Sequence, residues 1–201
     1  MDSITTSYTN GKISSKKWYI KGKTDKISLL KSEAFHSDGN LYIQQYFKNG
    51  EYHKDFNEPA MTQNYSKDQC AGQSWYVNGK LHNDDDKPAE TRYHENGKLS
   101  LEEWYKNGIL HRDNNPAKIM YYEDGNVEYK FWYQNGKLQR DIEPAIIHYN
   151  KDGTIANQEW YKEGVEYNPN EVKSIVPVVD NHKCPHCNCD IKLTYTIMKE
   201  D

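Results

Sequence analysis

Arginine is almost missing from this sequence. It occurs only at Arg92, Arg112 and Arg140. Arginine is the preferred bidentate reader of phosphate and guanine, so its scarcity argues against sequence-specific recognition of nucleic acid. The formal net charge of −4 points the same way, because nucleic-acid binders usually carry a basic stripe. Long apolar runs are also missing, and none approaches the length of a membrane span. The N-terminus, Met1-Asp2-Ser3-Ile4-Thr5-Thr6, has no charged region followed by an apolar core, so no secretory signal is expected. Cysteine is scarce and clustered: of 4 residues, all but Cys70 lie between positions 184 and 189, which is not the spread of a disulfide framework. These absences lead to the expectation of a reducing, cytoplasmic setting. No segment keeps a 3.6-residue apolar period, so little or no helix is predicted.

What the chain has instead is rings. Mean hydropathy is −1.08, low for a single thick core. Yet aromatics reach 13%, with 17 Tyr and 5 Trp, whereas disordered chains are poor in them. The combination predicts a thin fold whose interior is built largely from aromatic side chains.

The rings recur. Aromatic pairs followed by Gly stand at Trp18-Tyr19, Tyr46-Phe47, Trp75-Tyr76, Trp104-Tyr105, Trp132-Tyr133 and Trp160-Tyr161. Successive pairs are 28 or 29 residues apart. Pro-Ala follows the central pairs at Pro59-Ala60, Pro88-Ala89, Pro116-Ala117 and Pro144-Ala145. Five residues before each pair stand Ile13, Leu41, Cys70, Leu99, Val127 and Ile155, which predicts a buried row. Cys70, within that row, reads as an inert buried thiol. Asn-Gly and Asp-Gly pairs such as Asn107-Gly108 and Asp124-Gly125 supply the positive φ of tight hairpin turns. The segments between them, such as Val127–Tyr133, have strand composition.

An isolated hairpin is marginally stable, so each unit must bury its rings against the next. The predicted fold class is all-β: an elongated antiparallel β-hairpin repeat solenoid over residues 1–167, with about six units. A linker over 168–181 and a Cys-rich tail over 182–201 follow.

These residues resemble the MORN-repeat family. The stretch from Trp104-Tyr105-Lys106-Asn107-Gly108 to Asn115-Pro116-Ala117 is similar to the variant common in giant DNA viruses of protists, to which an antitoxin-like bacterial group is related. The longer period and the Pro-Ala element set it apart from the standard unit. The resemblance covers roughly residues 8–167. It implies a non-enzymatic scaffold or protein–protein interaction module, such as a virion component or host-interaction factor in the host cytoplasm or virion. The alternative it implies is an antitoxin-like inhibitor that covers a partner enzyme. No catalytic residues carry over.

Three rows of side chains deserve a chemical reading. His53, His82 and His111 hold one phase, and Gln139 breaks it. Equivalent positions in neighbouring units should lie roughly 10 Å apart, too far to share one Zn²⁺. A turn or surface role is expected for them. Asp55, Asp84, Asp113 and Asp141 repeat with them and read as turn residues rather than acid–base groups. The Trp row has polar residues two positions earlier, so strict alternation opens the Trp face. Trp75, Trp104, Trp132 and Trp160 then form a partner-binding row; the competing reading is a second core. No nucleophile–base pair, phosphate-cradling loop or unrepeated acidic constellation is visible.

The tail carries His182-Lys183-Cys184-Pro185-His186-Cys187-Asn188-Cys189. Cys184 and Cys187 have the spacing of a zinc knuckle. Cys189 and His182 are the best further ligands, with His186 next. Two chains could share one ion, making the tail a dimer clamp. A tail without metal, or with a local disulfide, is the competing reading.

Overall fold

The computed structural model describes residues 2–21, 27–55 and 58–170. The chain divides into two compact units, residues 1–167 and 168–201. The first is all-β. Its main body is one 13-stranded antiparallel sheet in which strands follow chain order.

Six long hairpins supply twelve of its strands, and the thirteenth, Glu51–Tyr52, pairs off the main path. Their strands are Asp2–Ser7 with Ile13–Lys21, Ile27–Phe35 with Leu41–Lys48, and Met61–Ser66 with Gln69–Ser74. Then come Glu90–Tyr93 with Leu99–Glu103, Lys118–Tyr121 with Val127–Phe131, and Ile146–Tyr149 with Ile155–Glu159. The second strand of each hairpin pairs with the first strand of the next, so the ladder runs unbroken across the units. The sheet is open: it does not close on itself.

Among the described residues, a second tier of two-residue hairpins starts at the second ring of each aromatic pair from Tyr46-Phe47 onward. It comprises Phe47–Lys48 with Glu51–Tyr52, and Tyr76–Val77 with Lys80–Leu81. It continues as Tyr105–Lys106 with Ile109–Leu110, Tyr133–Gln134 with Lys137–Leu138, and Tyr161–Lys162 with Val165–Glu166. Each turns on a pair with both φ positive, as at Asn107 (55°) and Gly108 (82°), the geometry of a type I′ turn. The long hairpins turn differently. In all but the hairpin of Met61–Ser66 with Gln69–Ser74, only the Gly is left-handed, as at Gly97, and the register slips by one residue beside it.

The short hairpins hydrogen-bond to one another along the array. Gly79, Gly108, Gly136 and Gly164 donate to Tyr52, Leu81, Leu110 and Leu138 of the preceding unit, at 2.8–3.0 Å. Space as well as φ requires Gly here. A Cβ on Gly136 would meet Ile109 Cγ2 at 3.3 Å.

The buried row is not the one the aliphatic positions predicted. Ile13, Leu41, Cys70, Leu99 and Val127 are only half-buried, and Ile155 is 52% exposed. The deepest positions are Ala60, Ala89, Ala117 and Ala145, each with no exposed surface. A single open sheet cannot enclose an aliphatic row on both sides. It can enclose a small residue where the long sheet and the short hairpins meet.

Candidate functional site

That meeting point is set by the residue before each short hairpin. Trp104 belongs to neither strand. Its N–H donates to Ala117 O in the long sheet at 2.8 Å, and its carbonyl accepts from His111 N–H in the short tier at 3.0 Å. Trp75 and Trp132 repeat both bonds with Ala89 and His82, and with Ala145 and Gln139. Strict alternation does not extend to the Trp, because the strand ends one residue before it. Trp104 and Trp132 are 6% and 9% exposed, and Trp75 and Trp160 are half-buried. The partner-binding row expected on alternation is, at Trp104 and Trp132, core.

Cations lie over the first rings of several aromatic pairs, with Lys31 Nζ 4.9 Å from the Trp18 ring centre. Arg112 Cζ sits 3.9 Å from the Trp104 ring centre, and Arg140 Cζ 3.9 Å from that of Trp132. Lys54 Nζ lies 4.0 Å over Tyr46. Such stacking contributes about 1 kcal/mol or more when partly desolvated.

The His row joins units. Asn78, Asn107 and Asn135 donate their backbone N–H to Nδ1 of His53, His82 and His111, at 3.4, 3.3 and 3.1 Å. With Nδ1 accepting, Nε2 carries the proton and faces an Asp two residues on. The Nε2–carboxylate distances to Asp55, Asp84 and Asp113 are 2.8, 3.1 and 3.2 Å. Gln139 does the same work with an amide: Oε1 accepts from Glu163 N–H at 2.6 Å, and Nε2 donates to Asp141 at 2.7 Å. His and Gln are interchangeable here because each offers one acceptor and one donor at this spacing. The His53 hydrogen bond, with Lys48 nearby, holds Asp55 below the usual carboxylate range.

A second row of staples was missed on the sequence. Tyr8, Tyr65, His94 and Tyr122 stand at the long-hairpin turns and donate to Phe35 O, Tyr93 O, Tyr121 O and Tyr149 O of the next unit. Their common phase was the available signal.

The structure also assembles a charged cluster across neighbouring strands. Glu90 and Glu103 oppose each other across neighbouring strands. Arg92 pairs with Glu90 at 2.6 Å, and Lys118 with Glu103 at 2.9 Å. Tyr105 Oη donates to Glu103 at 2.9 Å. Burial, then the Glu103 charge, push the Tyr105 hydroxyl well above its usual range. The equivalents of Glu103 in other units are Lys17, Gln45, Ser74, Phe131 and Glu159; at Glu159 the carboxylate again accepts from a tyrosine, Tyr161 Oη at 3.3 Å. Every member of the cluster is paired, which suits fixing strand neighbours in a chain of similar units.

Grooves open between successive loops. One, of about 380 Å³, lies over Trp132 between Arg112 and Arg140. Another, of about 560 Å³, lies between His53 and His82. Among the described residues no group of three or more His, Cys, Asp or Glu is placed to hold a metal ion. Also among them, no helix is long and apolar enough to cross a membrane. Cys184, Cys187, Cys189, His182 and His186 lie outside the described residues. No family model, curated protein or solved structure matches the chain.

Proposed function

We propose that this chain is a non-enzymatic interaction module, a MORN-like array that presents a graded surface to a protein partner. One observation carries the reading: at geometrically equivalent positions the units display different side chains. The first residue of the first long strand is Met61, Glu90, Lys118 and Ile146 in successive units. The backbone and the His, Gln and Asn staples stay constant beneath them. A fixed ladder with varied rungs is the arrangement by which repeat proteins build recognition surfaces. Apolar side chains stand in the open along the second tier, at Val77, Ile109 and Val165. They are interleaved with Lys80 and Lys137 at the position of Ile109 and Val165, so this tier too differs from unit to unit.

The scaffold role, in a virion or in host cytoplasm, belongs to the same proposal and rests on the family resemblance. Zinc in the Cys184/Cys187 tail, and a dimer formed through it, are part of the proposal on the spacing of those cysteines.

The test is affinity purification of the full chain beside an Ile109→Asp, Val165→Asp double variant of equal thermal stability. The expected result is one or a few stoichiometric partners that the double variant loses. Recovery of one enzyme whose activity falls on binding would make the module an inhibitor. Turnover of a substrate, abolished by one substitution, would contradict the proposal.

A further inference from the structure

Trp104 and Trp132 occupy equivalent places but differ in one bond. Trp104 Nε1 donates to Asp86 O of the preceding unit at 2.9 Å. Trp132 is buried, yet its Nε1 has no acceptor. A buried donor left unpaired forfeits its hydration without compensation.

The cause is a loop length. His82 to Pro88 is one residue longer than His111 to Pro116. This also accounts for the step of 29 rather than 28 residues between Trp75 and Trp104. In the longer loop Asp85 and Asp86 are both left-handed, and Asp86 reaches the indole. In the shorter loop Asn115 N–H closes onto Asp113 O at 2.7 Å. Asn114, the counterpart of Asp86 two residues before Pro, supplies no bond to Trp132.

Asp86 does two things at the Trp104 site. Its carbonyl takes the indole proton, and its carboxylate takes Arg112 in a bidentate pair at 2.7 and 2.8 Å. At Trp132 the corresponding Arg140 stacks on the ring in the same way. Its carboxylate partner is Glu143 of its own loop, whose side chain is 60% exposed. Exposed pairs of this kind contribute little, so the guanidinium exchanges partners at small cost. Beside it lies the groove over Trp132, with Ile142, 91% exposed, at its rim.

We infer that the groove over Trp132 is a socket for an aspartate-bearing turn of a protein partner. The partner's main-chain carbonyl accepts from Trp132 Nε1, its carboxylate displaces Glu143 from Arg140, and its flanking apolar group rests on Ile142. The chain displays the bound form of such a socket one unit earlier, with Asp86 as the internal ligand. Asp141 and Glu143 disfavour a bare anion there, so the carbonyl is as necessary as the carboxylate. This deepens the interaction-module reading and rests on it.

The probe is the chain's own loop, a capped peptide spanning residues 82–88, added to full-length protein with ¹⁵N-labelled indoles. The Trp132 Nε1–H resonance is expected to move downfield saturably while that of Trp104 stays in place. Arg140→Ala should weaken the peptide at least about tenfold, the worth of a charged bidentate contact. Asp86→Asn in the peptide should do the same. Glu143→Gln, which removes the competing carboxylate, should tighten binding a few-fold, a gain that no folding defect produces. The inference is overturned if no shift occurs up to millimolar peptide, or if Arg140→Ala and Glu143→Gln leave affinity unchanged. It is also overturned if inorganic phosphate reproduces the shift, or if Trp132 Nε1–H in the peptide-free protein is already as far downfield as that of Trp104. A failed peptide with stoichiometric partners still lost on Ile109→Asp, Val165→Asp removes the socket and leaves the module.

Discussion

His111 accepts, through Nδ1, the backbone N–H of Asn135 at 3.1 Å, one unit further along the chain. Gln139 accepts the N–H of Glu163 through an amide oxygen in the same place. The row is therefore a ladder of acceptors rather than of metal ligands. His82→Gln should change stability by less than about 0.5 kcal/mol, because both bonds persist. His82→Leu should cost about 1–3 kcal/mol, since the Asn107 N–H then loses its acceptor. Urea unfolding followed by Trp fluorescence separates the two outcomes.

The alanine of Pro-Ala has no exposed surface and touches the corner where Trp leaves the sheet. Ala117→Val is expected to destabilise by about 1–3 kcal/mol through overpacking. Ser100→Val, at a half-buried position on a neighbouring strand, should be close to neutral. Thermal melts of the two variants test the contrast.

Glu163 holds a φ of 52° where the other second-tier turns have Asn. A left-handed conformation costs a residue of this type roughly 1 kcal/mol. Its pair with Lys137 is exposed and returns little. Glu163→Asn should therefore raise stability by up to about 1 kcal/mol, measured as a higher urea midpoint at unchanged slope.

The Arg112 hydrogen bonds hold Asp86 below the usual carboxylate range. A depressed folded value means a contribution present above the unfolded value, about pH 4, and lost as pH falls through the folded one. The Asp86 side chain is 57% exposed, so solvent screening limits the contribution to about 1 kcal/mol. Asp86→Asn should weaken the protein at about pH 7 and lose less than the parent on going to about pH 3. Unfolding curves at the two pH values, parent against variant, give the difference.

Metal analysis of purified protein addresses the tail. One zinc per chain, or one per two chains if the tail clamps a dimer, is expected. Cys184→Ser and Cys187→Ser should each remove it and, in the second case, the dimer. Metal-free protein whose oligomeric state ignores chelator would contradict this.

The turns were legible because Asn-Gly and Asp-Gly fix backbone angles locally, as at Asn107-Gly108. The period was legible because ring and Gly positions repeat. The Trp corner was not, because strand parity assumes that a strand continues, and Glu103 ends one. Ile155 was misread as buried because composition does not reveal that its strand lies at a sheet edge. The Glu90–Glu103 cluster was invisible because it depends on register between strands of different units. The difference between Trp104 and Trp132 was present as a 29-residue step, but its meaning required the reach of Asp86.

Amide hydrogen exchange at Gly79, Gly108, Gly136 and Gly164 tests the stacking of units most directly. Each of these N–H groups bonds to a carbonyl of the preceding unit and to nothing within its own hairpin. Strong protection at all four, lost together with unfolding, is the expected result. Exchange at the rate of an exposed turn would mean that the hairpins stand independently, and the array would not exist.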